Sequence, residues 1–156
     1  MSTEALGNEL KELIRTRFGR SLHIREVDTG SCGACESEII ACSNPIYDIQ
    51  RYGIDFVASP RHADCLLVTG PVSKNMAKAL KATYDAMPGP KIVITLGDCA
   101  KDGGPFKGSH YIDIAGPVTA NLIMHQANAV FLIYMFIILN SLDQRACAVS
   151  QTCNCH

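Results

Sequence analysis

Two cysteines separated by two small residues, Cys32-Gly33-Ala34-Cys35, lie between an apolar stretch and a helix-like one. A third, Cys99, follows a different apolar stretch at Leu96-Gly97-Asp98. Thiols in this pattern support three chemistries. A redox dithiol would use Cys32 and Cys35 alone. A structural zinc site would need four ligands closing a tetrahedron, usually supplied as two close pairs. A cubane iron–sulfur cluster also takes four thiolates but accepts them from distant parts of the chain. Cys99, a third thiol on a glycine-flanked loop, favours the cluster and leaves the other two readings open. Amides at a helix start carry partial positive charge and free N–H donors. Thiols placed there are expected to have a lowered pKa, which suits a ligand and a redox thiol equally.

These cysteines must be held by the elements around them. SLHIREVD (residues 21–28) reads as a first strand and residues 36–42 as a short helix stopped by Asn44-Pro45. Residues 54–58, 65–69 and 91–96 read as further strands, closed by Ser59-Pro60, Gly70-Pro71 and Gly97-Asp98. Ser73 is placed to cap a helix through Met87, with Met76, Leu80 and Tyr84 on one face and Pro88-Gly89-Pro90 ending it. Continuously apolar, β-branched strands alternating with helices predict a parallel sheet covered on both faces. The expected fold is a single α/β domain, a flavodoxin-like doubly wound parallel sheet. In such sheets functional groups gather at the carboxyl ends of the strands, where Cys32, Cys35 and Cys99 all fall. No phosphate-cradling glycine motif is present, and there is no Ser/Thr/Gly-rich loop for a flavin phosphate.

The 156 residues carry 14 Lys and Arg against 15 Asp and Glu, with no basic block, which removes the electrostatic footprint of nucleic-acid binding. Residues 1–20 form a charged amphipathic segment, with Leu6, Leu10, Leu13 and Ile14 at helical spacing and no signal-peptide pattern. A cytoplasmic location is therefore expected, and the eight cysteines are not read as a disulfide framework. Cys42 and Cys65 read as small buried hydrophobes. The apolar run at residues 129–139 falls short of the ~20 residues that span a membrane, so it reads as a buried element or an interface.

SCGAC followed by Glu38, then YDIQRYGIDFVASPRHADCLLVTGPV and KIVITLGDCAKDGG, resemble a known family. It comprises the small subunit of energy-converting NiFe hydrogenases and the homologous 20 kDa subunit of NADH:quinone oxidoreductase. The resemblance covers about residues 24–118. The CxxC spacing sides with the hydrogenase form, since the quinone-reducing form has adjacent cysteines there. The resemblance implies an electron-transfer subunit, without bond chemistry of its own, holding one 4Fe–4S cluster proximal to an active site on a large subunit. Cys32, Cys35 and Cys99 would be three of its ligands. Glu38 would form a polar link at the subunit interface. Arg61 and His62 would tune the cluster or touch a neighbouring subunit. The implied partners are a hydrogenase or complex I-like large subunit, a ferredoxin-like iron–sulfur subunit and, indirectly, membrane subunits. That assembly would sit at the cytoplasmic face of the membrane, with quinone binding in the quinone-reducing branch.

The expected layout is an amphipathic helix at 1–20, an α/β iron–sulfur domain at 21–118 and a divergent apolar, cysteine-rich tail at 119–156. The family pattern continues to a Gly-Cys-Pro-Pro whose cysteine is the fourth ligand, and none occurs here. The first reading is a tail out of frame, so that the fourth ligand is lost. In the second, Cys147, Cys153 or Cys155 supplies it. In the third, Cys153-Asn154-Cys155-His156 binds a separate metal. Two readings from other classes stay open: a cytosolic CxxC thiol oxidoreductase and a zinc-stabilised interaction module.

Overall fold

The computed structural model describes residues 3–112 and 122–124. Leu6, Leu10 and Ile14 recur at helical spacing and are buried along one stripe of the first helix, α1 (Thr3–Phe18). The chain then alternates: β1 (Leu22–Asp28), α2 (Ala34–Cys42), β2 (Ile54–Phe56), β3 (Cys65–Thr69), α3 (Lys74–Ala86), β4 (Ile92–Leu96), α4 (Gly97–Asp102) and β5 (Leu122–Met124). The strands are all parallel, in the order β2-β1-β3-β4-β5. That is the flavodoxin-like order expected from the apolar strands.

Alternation along the strands divides the core into two layers. Leu22, Ile24, Cys65, Leu67, Ile92 and Ile94 face α1 and α2, packing with Leu10, Ile14, Ile39 and Cys42. Val27, Leu66, Val68 and Val93 face the other way, against Leu80 of α3. Every residue of β3 and β4 is buried, as strands covered by helices on both faces require. Cys42 and Cys65 are buried members of the first layer, as expected.

Three features depart from the reading of the sequence. β2 ends at Phe56: Val57 still donates to the Ile24 carbonyl (2.9 Å), after which Pro60 opens a 3₁₀ turn over Pro60–His62. Ser73 sits at the cap position of α3 in extended conformation, but its hydroxyl caps nothing; its N–H instead bonds the Thr29 carbonyl (3.0 Å). Beyond β4, the short strand β5 pairs through Leu122–Met124 with Ile94–Leu96, inside the region read as divergent tail. Among the described residues no helix is long and apolar enough to cross a membrane, and residues 129–139 lie outside them.

Candidate metal centre

The carboxyl ends of β1, β3 and β4 lie side by side, with Asp28 beside Thr69 and Thr69 beside Leu96. The loop after β1 carries Cys32 and leads into α2, which carries Cys35. Cys99 is on α4, a six-residue helix that begins directly after β4, and not on a loop as its flanking glycines suggested.

The loop before Cys32 is built by side chains that precede it. Asp28 Oδ1 accepts from the N–H groups of Gly30 (2.8 Å) and Ser31 (2.7 Å), an Asx turn that folds the chain back at the strand end. Thr29 is fully buried; its hydroxyl donates to the carbonyls of Thr69 (2.7 Å) and Gly70 (3.1 Å), tying this loop to the end of β3. The Asp-Thr-Gly-Ser run is a recognisable turn signal, and its part in shaping the cysteine loop emerges only from the structure.

Cys35 reaches across the end of β3 to the start of α4, where its Sγ lies 3.8 Å from the Leu96 carbonyl oxygen. A Cβ added to Gly97 would stand 3.1 Å from that sulfur, and one added to Gly104 would stand 3.1 Å from the sulfur of Cys99. Both thiols therefore rest in cradles that a side chain would fill. Cys32 is exposed, while Cys35 and Cys99 are partly buried, and all three are free thiols. Burial pushes the Cys35 thiol pKa up, and the negative charges of Glu36, Cys32, Cys99 and Glu38 push it further. The lowered pKa expected from the helix start is thus outweighed at Cys35. A raised thiol pKa lowers the thiolate fraction open to a nucleophile and to a metal ligand alike, so this field does not separate the two readings. Among the described residues no three Cys, His, Asp or Glu side chains converge on a single ion, so a closed zinc tetrahedron is not preformed.

The other expected site residues fall apart from this edge or outside the described residues. Glu38 is exposed on α2, close enough to add to the field at Cys35. Arg61 and His62 lie in the turn before β3, where the His62 carbonyl meets His23 Nδ1 (3.0 Å) near the amino end of β1. Asp64 anchors the same corner with a two-pronged pair to Arg20 (2.8 and 2.9 Å) and by accepting the His23 N–H (3.0 Å). From Cys65 to Thr69 the strand is five residues long, a span of roughly 13 Å, so Arg61 and His62 belong to the opposite end of the sheet. That separation weighs against tuning a site at the cysteines and leaves their other expected role, contact with a neighbouring subunit. Cys147, Cys153, Cys155 and His156 lie outside the described residues.

Asp28 supplies a pH-dependent prediction. Its carboxyl is held below the ordinary value by the backbone bonds from Ser31 and Gly30. A carboxylate with a lowered folded pKa stabilises above its unfolded pKa, and that contribution is lost as pH falls through the folded pKa. Asp28→Ala is therefore expected to cost about 1 kcal/mol at neutral pH, the size of a lost exposed cap. The deficit against wild type should shrink toward zero in acid, below the usual carboxylate range. Urea midpoints of both proteins across that range measure it, and a pH-independent deficit would contradict the assignment.

A family model described as the 20 kDa subunit of NADH ubiquinone oxidoreductase matches residues 32–133, extending past the point at which the sequence pattern was read to stop. An uncharacterized protein of Methanocaldococcus jannaschii is 47% identical over 116 residues, covering 72% of this chain and 76% of that protein. A probable membrane-bound hydrogenase subunit of Pyrococcus furiosus is 47% identical over 94 residues, covering 60% of this chain and 56% of that one. A chain from the structure of the membrane-bound sulfane sulfur reductase, an archaeal respiratory membrane complex, superposes with a TM-score of 0.66 at 25% identity. That superposition covers 83% of this chain and 76% of the other.

Proposed function

The chain belongs to the 20 kDa subunit family of NADH:ubiquinone oxidoreductase, which includes hydrogenase subunits, and on that premise we propose that it is an electron-transfer subunit holding a 4Fe–4S cluster. The observation that carries this reading is the gathering of Cys32, Cys35 and Cys99 from the ends of β1 and β4 at one edge of the sheet. Such a cluster, when bound, accepts and releases single electrons at a potential set by its surroundings. Cys32, Cys35 and Cys99 would hold it, and Gly97 and Gly104 leave room beside two of the sulfurs. Asp28 and Thr29 fix the loop from which Cys32 projects. Cys147, Cys153 or Cys155 would supply the fourth thiolate, and an out-of-frame tail would leave the site with three.

The subunit would relay electrons between a large-subunit active site, of the hydrogenase or complex I type, and a ferredoxin-like subunit. The relatives' membrane-complex names support a place in a membrane-associated complex, and within it this subunit would sit at the cytoplasmic face through partner subunits. Glu38, exposed on α2 beside the cysteines, is suited to the large-subunit interface.

Iron and acid-labile sulfide per chain, with EPR after reduction, test the proposal on anaerobically reconstituted protein. About four irons and a reduced cubane signal are expected. An iron-free chain with zinc, or with no metal and an active Cys32–Cys35 disulfide, would replace it with one of the two other readings.

A further inference from the structure

β2 stops at Phe56, opposite Ile24, while β1 continues to Asp28. Beside the uncovered stretch of β1, α2 and the end of β2 enclose a cavity of about 470 Å³. Its lining includes Arg25, Glu26, Glu36, Ile39, Ile40 and Phe56. Two carboxylates against one guanidinium leave it with an excess of negative charge. Glu26 is provided for: Thr69 Oγ1 donates to its Oε1 (3.0 Å). Glu36 is not. Both of its carboxylate oxygens are buried and accept no hydrogen bond among the described residues, and Arg25 Nε is likewise buried without an acceptor.

Buried polar groups are satisfied in finished structures, and a buried carboxylate without donors is among the most costly to leave. The missing donors come from outside these residues, from water or from a group that displaces it. Ile40, on the cavity lining, is 73% exposed, and Ile46, just past the end of α2, is 78% exposed. Ile40 thus carries the apolar part of the lining out to solvent, where a second protein can cover it.

We propose that this cavity receives an arginine or lysine side chain from the catalytic partner subunit, its cationic head on Glu36 and its alkyl stem along Ile39, Ile40 and Phe56. This rests on the subunit reading above. Arg25 Nε then donates to a backbone carbonyl of the same partner segment. A basic side chain fits both halves of the cavity, since its stem lies on apolar surface while its head supplies several donors. A neutral ring compound would leave the charge of Glu36 uncompensated.

The test uses the full-length chain, tagged and purified anaerobically with its partner subunits, as wild type, E36Q and I40E. Both variants are expected to weaken retention of the catalytic subunit, E36Q by ~10- to 100-fold, the range for one lost charge-assisted hydrogen bond. Iron per chain should be unchanged. A photo-crosslinking phenylalanine analogue at position 40 should map to a catalytic-subunit segment containing Arg or Lys. Wild-type retention by E36Q, a crosslink to a segment without a basic residue, or a crosslink to a small molecule such as a quinone would each overturn the proposal. So would loss of iron in E36Q, which would make Glu36 part of the cysteine site. An iron-free wild type that still loses its partner on E36Q would sink the cluster reading and leave the cavity assignment standing.

Discussion

Cys99→Ser protein is expected to keep its fold and lose most of its iron. The substitution is nearly isosteric at a partly buried position on a six-residue helix, so the metal-free variant should lie within about 1 kcal/mol of wild type. The iron site has more to lose. With Cys32 and Cys35 alone, the described part of the chain offers two thiolates at one end of the sheet, and a serine hydroxyl is a poor substitute for a thiolate toward iron. Because bound metal stabilises the folded form by mass action, wild type should show a rise in melting temperature on reconstitution that the variant lacks. Absorbance and iron per chain read the loss directly. Full iron in Cys99→Ser would remove Cys99 from the ligand set and require another residue to supply that thiolate.

The opposite pattern is expected at Cys65. That thiol is fully buried in β3, and burial pushes its pKa far above the ordinary range, so it is neither a thiolate ligand nor a nucleophile. A hydroxyl there would be a buried polar group without a provided partner, which costs about 1–3 kcal/mol, while iron per folded chain should not change. One cysteine would thus move the stability of the metal-free chain alone, and the other iron together with the stabilisation that iron brings. No account based on total thiol content yields that separation.

How much of this was legible before the structure depends on how local each signal is. β3 and β4 lie within continuous apolar, β-branched runs bounded by Gly-Pro, Pro-Gly-Pro and Gly-Asp, and their limits follow almost residue for residue. The fold class follows from their alternation with helices, and so does the placement of the cysteines at one edge. What depended on register was hidden. Residues 54–58 look like a strand of five, but the ladder ends at Phe56, and that early end opens the cavity beside Glu36. The same register puts Arg61 and His62 at the amino end of β3, far from the cysteines whose neighbours the motif suggested them to be. β5 is three residues long, too short for its own pattern to announce a strand. The helical setting of Cys99 was missed because glycines on both sides read as a loop, whereas Gly97, at φ +82°, starts a short helix against the Cys35 sulfur.

Gly70→Ala should be the most damaging single-methyl change on the cysteine side of the sheet. Gly70 has φ +70°, a left-handed conformation that costs a side-chain-bearing residue about 1–2 kcal/mol. A Cβ there would stand 2.5 Å from the Ser31 nitrogen and 2.6 Å from its Cα. These are backbone atoms, fixed by the Asx turn of Asp28 and by the Thr29 hydroxyl on the Thr69 and Gly70 carbonyls, so no flexible side chain can move aside. Relief requires the loop after β1 to part from the end of β3, and overpacking of that kind adds about 1–3 kcal/mol. Since Ser31 precedes Cys32, the same displacement moves a cluster ligand, and iron retention should fall with stability. Gly19→Ala separates the two contributions. Gly19 has nearly the same φ, +65°, with nothing within 4 Å of its added Cβ, so it carries the conformational cost without the collision. Urea unfolding should place Gly19→Ala about 1 kcal/mol below wild type, with its iron intact, and Gly70→Ala about 3 kcal/mol or more below, with its iron reduced. Equal losses in the two variants would mean that the ends of β1 and β3 do not approach as closely as the Thr29 bonds require, and the cysteine loop would then need another anchor.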